Sequence, residues 1–281
     1  MVLFKVRVVM LLLFAAMGGA CLAADGWPGL SKVFLLLITG GLAAAGASAI
    51  NQYLERDLDA RMERTRGRPL AGEPVPRSGW VPFVGALMIL VPVLIMLNLN
   101  PALAIFVLLG AIVYVFIYTI WLKRRTPLNT VIGGAAGSAA VLSGSAAAGH
   151  WNEPGALLLA LFVFLWTPTH FWSLAIAYRN DYAQGGFPML PVQTSLQAAA
   201  WWVMLHTASA SLVALVMVVH PALGWLYMVP VTLSLAVLLA LNMRLLLAPD
   251  RRRALALFHA SNLFLAILLL AVCTSTLVVE F

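Results

Sequence analysis

The chain is 281 residues long, 63% hydrophobic and only 10% charged, with a formal net charge of +7 and a mean hydropathy of +0.97. That balance excludes a soluble fold, because about 20 apolar residues cross the hydrocarbon core as a helix and charge-free runs of that length recur along the chain. The basic residues sit in loops between those runs, where they suit an anionic leaflet or an anionic substrate, so a lipid bilayer and no nucleic acid is the expected surrounding.

The runs predict nine membrane helices: Val8 to Ala24, Val33 to Ile50, Gly79 to Leu97, Ala102 to Leu122, Leu128 to Gly149, Ala156 to Ala177, Ala198 to Val219, Leu223 to Met243 and Ala254 to Val279. The fold class is therefore all-α, a single bundle around a cavity open on one face. No repeat or linker divides it, so residues 1–281 read as one intramembrane domain. The first run has a basic start and a small-residue end, as a cleavable secretory signal does. Gly18, Gly19 and Ala20 equally suit close packing in a bundle. Cys21 and Cys273 are far apart in sequence and read as packing residues.

The second run ends in Asn51-Gln-Tyr-Leu-Glu-Arg-Asp-Leu-Asp-Ala-Arg-Met-Glu-Arg-Thr-Arg-Gly-Arg68, four carboxylates and five arginines at the edge of a nearly charge-free chain. A helix continued past the membrane edge puts Asn51, Glu55 and Asp59 on one face, drifting only about 40° per step, with Asp57 opposite. One amide and two carboxylates with arginines just beyond can hold Mg2+ together with a diphosphate, since Mg2+ binds through one or two carboxylates plus phosphate oxygens and water. Arg64, Arg66, Arg68 and Arg77 would neutralise the remaining phosphate charge. The plainer alternative is a solvated loop of surface ion pairs.

The break after the third run rests on Asn98, Asn100 and Pro101. The fourth ends in a second basic cluster, Tyr118-Thr-Ile-Trp-Leu-Lys-Arg-Arg-Thr-Pro127, which membrane anchoring alone could explain. The sixth run carries His170 after Pro168, with Phe171 and Trp172 beside it; a histidine in a membrane helix usually faces the bundle interior. It could accept a proton, or simply bond a neighbouring helix. His150, His206, His220 and His259 read as packing or interface residues. Beyond the sixth run come Tyr178-Arg-Asn-Asp-Tyr182 and Gly185-Gly-Phe-Pro-Met-Leu-Pro191. In a nine-span chain only Lys32, of 17 basic residues, falls on the opposite face, so the N-terminus and the acidic loop are expected on the cytoplasmic side of a plasma (inner) membrane.

The blocks Asn51 to Leu70, Tyr118 to Arg125 with Asn129 to Gly134, Trp166 to Trp172, Arg179 to Tyr182 and Gly186 to Val192 together resemble the UbiA-type intramembrane prenyltransferases, and among them the protohaem IX farnesyltransferase branch. The resemblance implies Mg2+-dependent transfer of farnesyl from farnesyl diphosphate to a vinyl group of haem B, giving haem O for haem-copper oxidase, directly or through haem A synthase. It implies Asn51, Glu55, Asp59 and Asp181 as metal ligands, Arg64, Arg68, Lys123, Arg124 and Arg179 as diphosphate ligands, Asp59, Asp181 and His170 as catalytic, and His170 and Trp172 as an acceptor pocket. The chain departs from the family pattern at Lys5-Val6-Arg7, at Glu55 for an aspartate, at Ala140-Val141 for Pro-Pro and at Thr169 for a proline. A UbiA-type enzyme with a quinone-precursor acceptor and, from another class, a secondary transporter are the competing expectations; a transporter would carry broken polar helices near the midplane of two halves.

Overall fold

The computed structural model describes residues 3–72 and 75–279. Among them nine helices are long and apolar enough to cross a membrane, named here α1 (Val6–Ala23), α2 (Leu30–Asp59), α3 (Trp80–Leu99), α4 (Pro101–Leu122), α5 (Asn129–Ala148), α6 (Pro154–Ala177), α7 (Leu196–Val219), α8 (Trp225–Leu247) and α9 (Arg251–Val279). All nine expected spans are present. The largest boundary change is at α2, which runs nine residues past Ile50 and carries the acidic segment as helix. Short helices at Val75–Ser78, Arg179–Gln184 and Leu190–Gln193 fill the connections on the same face, called the basic rim below.

Asn100 ends α3 and starts α4: its side chain accepts the Leu103 N–H at 3.0 Å, and its amide donates to the Ala146 carbonyl on α5 at 2.8 Å. Pro101 fits the first turn, where its missing N–H would have no partner. On the face opposite the rim, Glu153 caps α6 by accepting the Gly155 and Ala156 N–H groups and also pairs with His220 Nε2 at 2.9 Å.

Two apolar cores share α1 and α5. One gathers α2, α3 and α4; the other gathers α6 to α9. Small residues make the central seam possible: a Cβ on Gly19 would lie 2.2 Å from the Val141 carbonyl oxygen, and one on Gly144 would lie 1.7 Å from that of Ala16. Backbone meets backbone there, as dispersion-driven helix association in lipid requires. The signal-like composition of the first run thus serves as a packing surface, with Ala15 to Ala23 buried apart from Met17. Residues 135–148 run as unbroken helix through Ala140-Val141, and Val141 is fully buried against α1. The seam between α1 and α9 also brings the two cysteines, Cys21 and Cys273, close together.

Candidate functional site

Three elements meet at the basic rim: the last turns of α2, the end of α4 and the 60–72 loop. The second half of α4, Val113–Leu122, is wound as π-helix. Hydrogen bonds from i to i+5 widen the turn, and such segments concentrate at functional sites. Here the widened winding directs Tyr114, Thr119 and Lys123 toward α2. Thr119 Oγ1 donates to the Tyr114 carbonyl and accepts from Asn51 Nδ2 at 3.1 Å. Tyr114 and Tyr118 stack with centroids 5.8 Å apart, and Lys123 Nζ lies 5.3 Å from the Tyr118 ring centre.

Asn51, Glu55 and Asp59 are all buried, at 1%, 2% and 2% exposure, and lie on the same face of α2, whereas the Asp57 side chain is 68% exposed. A buried carboxylate must be paired. Glu55 is held by a short charge-assisted contact from Lys123, while Asp59 accepts from Arg68 Nη1 through both oxygens at 2.8 Å. That same nitrogen lies 4.0 Å from Glu55, so one guanidinium joins the two acids. Lys5, just before α1, donates to Asn51 Oδ1 at 2.7 Å and to the Tyr114 hydroxyl at 3.3 Å. Burial first, then repulsion from Arg68, pulls the Lys5 ammonium down to about 7, with Glu55 opposing the fall.

Asp181 enters differently. Its carboxylate accepts the backbone N–H of Glu63 at 2.7 Å and of Arg64 at 3.4 Å, anchoring the 60–72 loop to the helix that follows α6. Arg64 reaches back over the Tyr182 ring, 5.5 Å from its centre, and donates to its hydroxyl at 3.3 Å. Arg124 donates to the Leu54 carbonyl of α2 and Arg179 to the Thr194 carbonyl at 3.4 Å, so the first braces α2 and the second the connection before α7, at the edge of the cluster. Lys5, Tyr114, Thr119 and Tyr182 join the site without having been marked as site residues in the sequence. The Lys-Val-Arg start, the Tyr-Thr pair of the fourth run and the block ending in Tyr182 hinted at three of them, and nothing in the sequence hinted at Tyr114.

Among the described residues no three His, Cys, Asp or Glu side chains gather as a ready metal cage. The donor set still fits Mg2+: two buried carboxylates and an amide oxygen on one face are hard oxygen donors, and this ion completes its shell with phosphate and water. Lysine and arginine occupy those carboxylates here, and the same cations suit phosphate oxygens.

His170 and Trp172 do not form one pocket wall. His170 faces α9, stacked between Trp166 (4.7 Å, 17°) and Phe258 (4.5 Å, 30°), with Nδ1 3.1 Å from Ser261 Oγ. Trp172 faces α7, edge-on to His206 at 5.2 Å, and its indole nitrogen is buried with no partner among the described residues. Thr169, between them, bonds Thr207 Oγ1 at 3.1 Å, and Asn242 of α8 donates to that same oxygen. A proline at position 169 could not make this link.

The model of the UbiA prenyltransferase family matches residues 11–269. A protoheme IX farnesyltransferase of Thermus thermophilus is 42% identical over 270 residues, covering 96% of this chain and 44% of that protein. The chain thus spans less than half the length of this relative. Protoheme IX farnesyltransferase 2 of Paramagnetospirillum magneticum is 40% identical over 275 residues, covering 98% of this chain and 95% of that protein. Among solved structures, a digeranylgeranylglyceryl phosphate synthase superposes with a TM-score of 0.77 at 16% identity, covering 97% of this chain and 99% of that one. A UbiA homolog from Archaeoglobus fulgidus bound to GPP and Mg2+ gives 0.63 at 17%, with the same coverage. An acid-rich α2 terminus, a basic turn ending α4 and a nine-helix bundle of this shape agree with a match running nearly end to end, and this multi-pass membrane protein belongs to the UbiA prenyltransferase family.

Proposed function

We propose that this chain transfers a farnesyl group from farnesyl diphosphate to a vinyl carbon of haem B, making haem O for a haem-copper oxidase or for haem A synthase. The observation that carries the reading is the buried Asn51, Glu55 and Asp59 face with Lys5, Arg68 and Lys123 folded onto it. The names of the relatives at about 40% identity support the donor and acceptor. Asn51, Glu55 and Asp59 would hold Mg2+, with Asp181 securing the loop that closes over it. When bound, the ion would stabilise the charge that builds on the departing diphosphate. Arg64, Arg68, Lys5 and Lys123 would take phosphate oxygens, with Arg124 and Arg179 at the edge.

The allylic carbon–oxygen bond breaks, pyrophosphate leaves and the vinyl π electrons form the new carbon–carbon bond. Water adds to the resulting cation and loses one proton, which His170 Nε2 would accept. The basic rim would be cytoplasmic and the membrane the plasma (inner) membrane, since cytoplasmic loops retain lysine and arginine.

The test is expression in cells lacking their own haem O synthase, followed by pigment extraction and mass analysis. A haem of increased mass carrying a hydroxyethylfarnesyl group is the expected product. Unmodified haem B alone, with a prenylated quinone precursor or other aromatic instead, would overturn the acceptor. Flux of substrate without pyrophosphate release would overturn enzymatic function altogether.

A further inference from the structure

A second basic feature lies away from the acidic cluster, where α8 ends and α9 begins. Leu241, Arg244, Leu247, Arg252, Arg253 and Ala256 line a cavity of about 650 Å³ at the basic rim. Its charges are not balanced. Arg253 is committed to the helix start: its N–H donates to Asp250 at 2.8 Å, and its guanidinium bonds the Ala248 carbonyl at 2.6 Å and lies 3.5 Å from Asp250. Arg244 and Arg252 are exposed and have no hydrogen-bond or ion-pair partner among the described residues. Two guanidiniums thus face one space whose sole carboxylate is already taken.

The remaining wall is aliphatic. Leu247 is 77% exposed, and below it Met243, Val237 and Leu233 are exposed along α8, so the surface continuing from the cavity into the membrane zone is lipid-facing. An occupant must therefore be anionic at one end and apolar at the other. Guanidinium forks match phosphate oxygens, and such pockets at a membrane edge suit acidic headgroups. Simple charge anchoring would need neither the cavity nor the two arginines converging on it.

We propose that this cavity binds the phosphate of an anionic phospholipid, with Arg244 and Arg252 as its ligands and the acyl chains against Leu241 and Leu247. The site is independent of the transfer reaction, because the cations of the acidic cluster come from α2, α4 and the segments beside them. Beside the cavity, Arg251 turns toward α6, its guanidinium 5.4 Å from the Tyr178 ring centre.

The test uses the purified full chain in detergent, with phosphatidylglycerol, phosphatidylcholine and inorganic phosphate as separate probes in native mass spectrometry. Phosphatidylglycerol is expected to be retained, with affinity falling about fivefold in Arg244→Gln or Arg252→Gln and roughly 25-fold in the pair, from about one unit of surface attraction per arginine. Arg125→Gln, a rim arginine outside the cavity, should leave it unchanged. Equal retention of phosphatidylcholine, equal binding of inorganic phosphate alone, or undiminished phosphatidylglycerol binding in the pair would each overturn the proposal. Should the pair fold poorly, the single variants decide it, and loss of prenyl transfer with lipid binding intact would fault only the proposed reaction.

Discussion

Ser261 Oγ lies 3.1 Å from His170 Nδ1 and donates its own proton to the Phe258 carbonyl at 2.8 Å. With the hydroxyl proton on that carbonyl, the oxygen facing the ring accepts, which assigns the hydrogen of the neutral imidazole to Nδ1 and leaves a lone pair on Nε2. The Trp166 indole donates to the Ser261 carbonyl at 3.0 Å and fixes the same turn. Ser261 therefore presents a basic nitrogen between two aromatic faces. His170→Ala is expected to lower kcat by about 100-fold or more, and Ser261→Ala by about tenfold, with KM for the allylic diphosphate unchanged in both. A rise in that KM without a fall in kcat would move His170 to the donor site.

The Asp59 and Arg68 pair makes a second prediction. Asp59→Asn keeps the shape but removes the negative charge that both oxygens present to Arg68 Nη1, and with it one metal oxygen. Pyrophosphate release should fall by at least about 100-fold, with the protein still inserted and the residual rate needing more Mg2+. Normal turnover in that variant would remove the metal role of this face.

Much of this arrangement was legible in the sequence, because it follows from periodicity within one helix. Charge-free runs located nine spans, and the four-residue spacing of Asn51, Glu55 and Asp59 set them on one side of α2. What the sequence left open depends on contacts between distant segments. Lys5 reaches Asn51 across 46 residues, and Ser261 reaches His170 across 91. The π-winding of α4 has no local signature among Val, Tyr, Phe and Ile, yet it decides that Thr119 and Lys123 face α2. The family resemblance implied Asp181 as a metal ligand, but the two backbone N–H groups that its carboxylate accepts in the fold are partners that no composition reveals. The two cysteines meet for the same reason: α1 and α9 are distant in sequence and adjacent in the bundle.

The central seam gives a prediction about folding. Gly144→Ala places a methyl carbon 1.7 Å from the Ala16 carbonyl, and the obstacle is backbone, which cannot rotate away. Separating α1 from α5 should cost more than the about 1–3 kcal/mol usual for overpacking. Sharply reduced yield of monodisperse protein in mild detergent is expected. Gly67→Ala, which meets nothing within 4 Å, should behave as the parent. Equal yields from both would mean that the α1 and α5 backbones are not in contact.

The Glu55 and Lys123 pair separates stability from substrate binding. Glu55 is 2% exposed at its side chain and Lys123 14%, so removing either leaves a charge in a poorly solvated place, at a cost of about 3 kcal/mol or more. Lys123→Met should lower the unfolding midpoint in detergent, and adding Glu55→Gln should recover most of the loss, because the stranded carboxylate is then gone. Activity should follow the opposite course. The double variant lacks both a phosphate ligand and a metal oxygen, so it should be well folded yet weaker in diphosphate binding than either single variant. Thermal unfolding and titration with an unreactive diphosphate analogue, done on all four proteins, read the two effects separately. If affinity instead recovered together with stability in the double variant, the pair would be only a structural ion pair, and Lys123 would have no part in holding the leaving group.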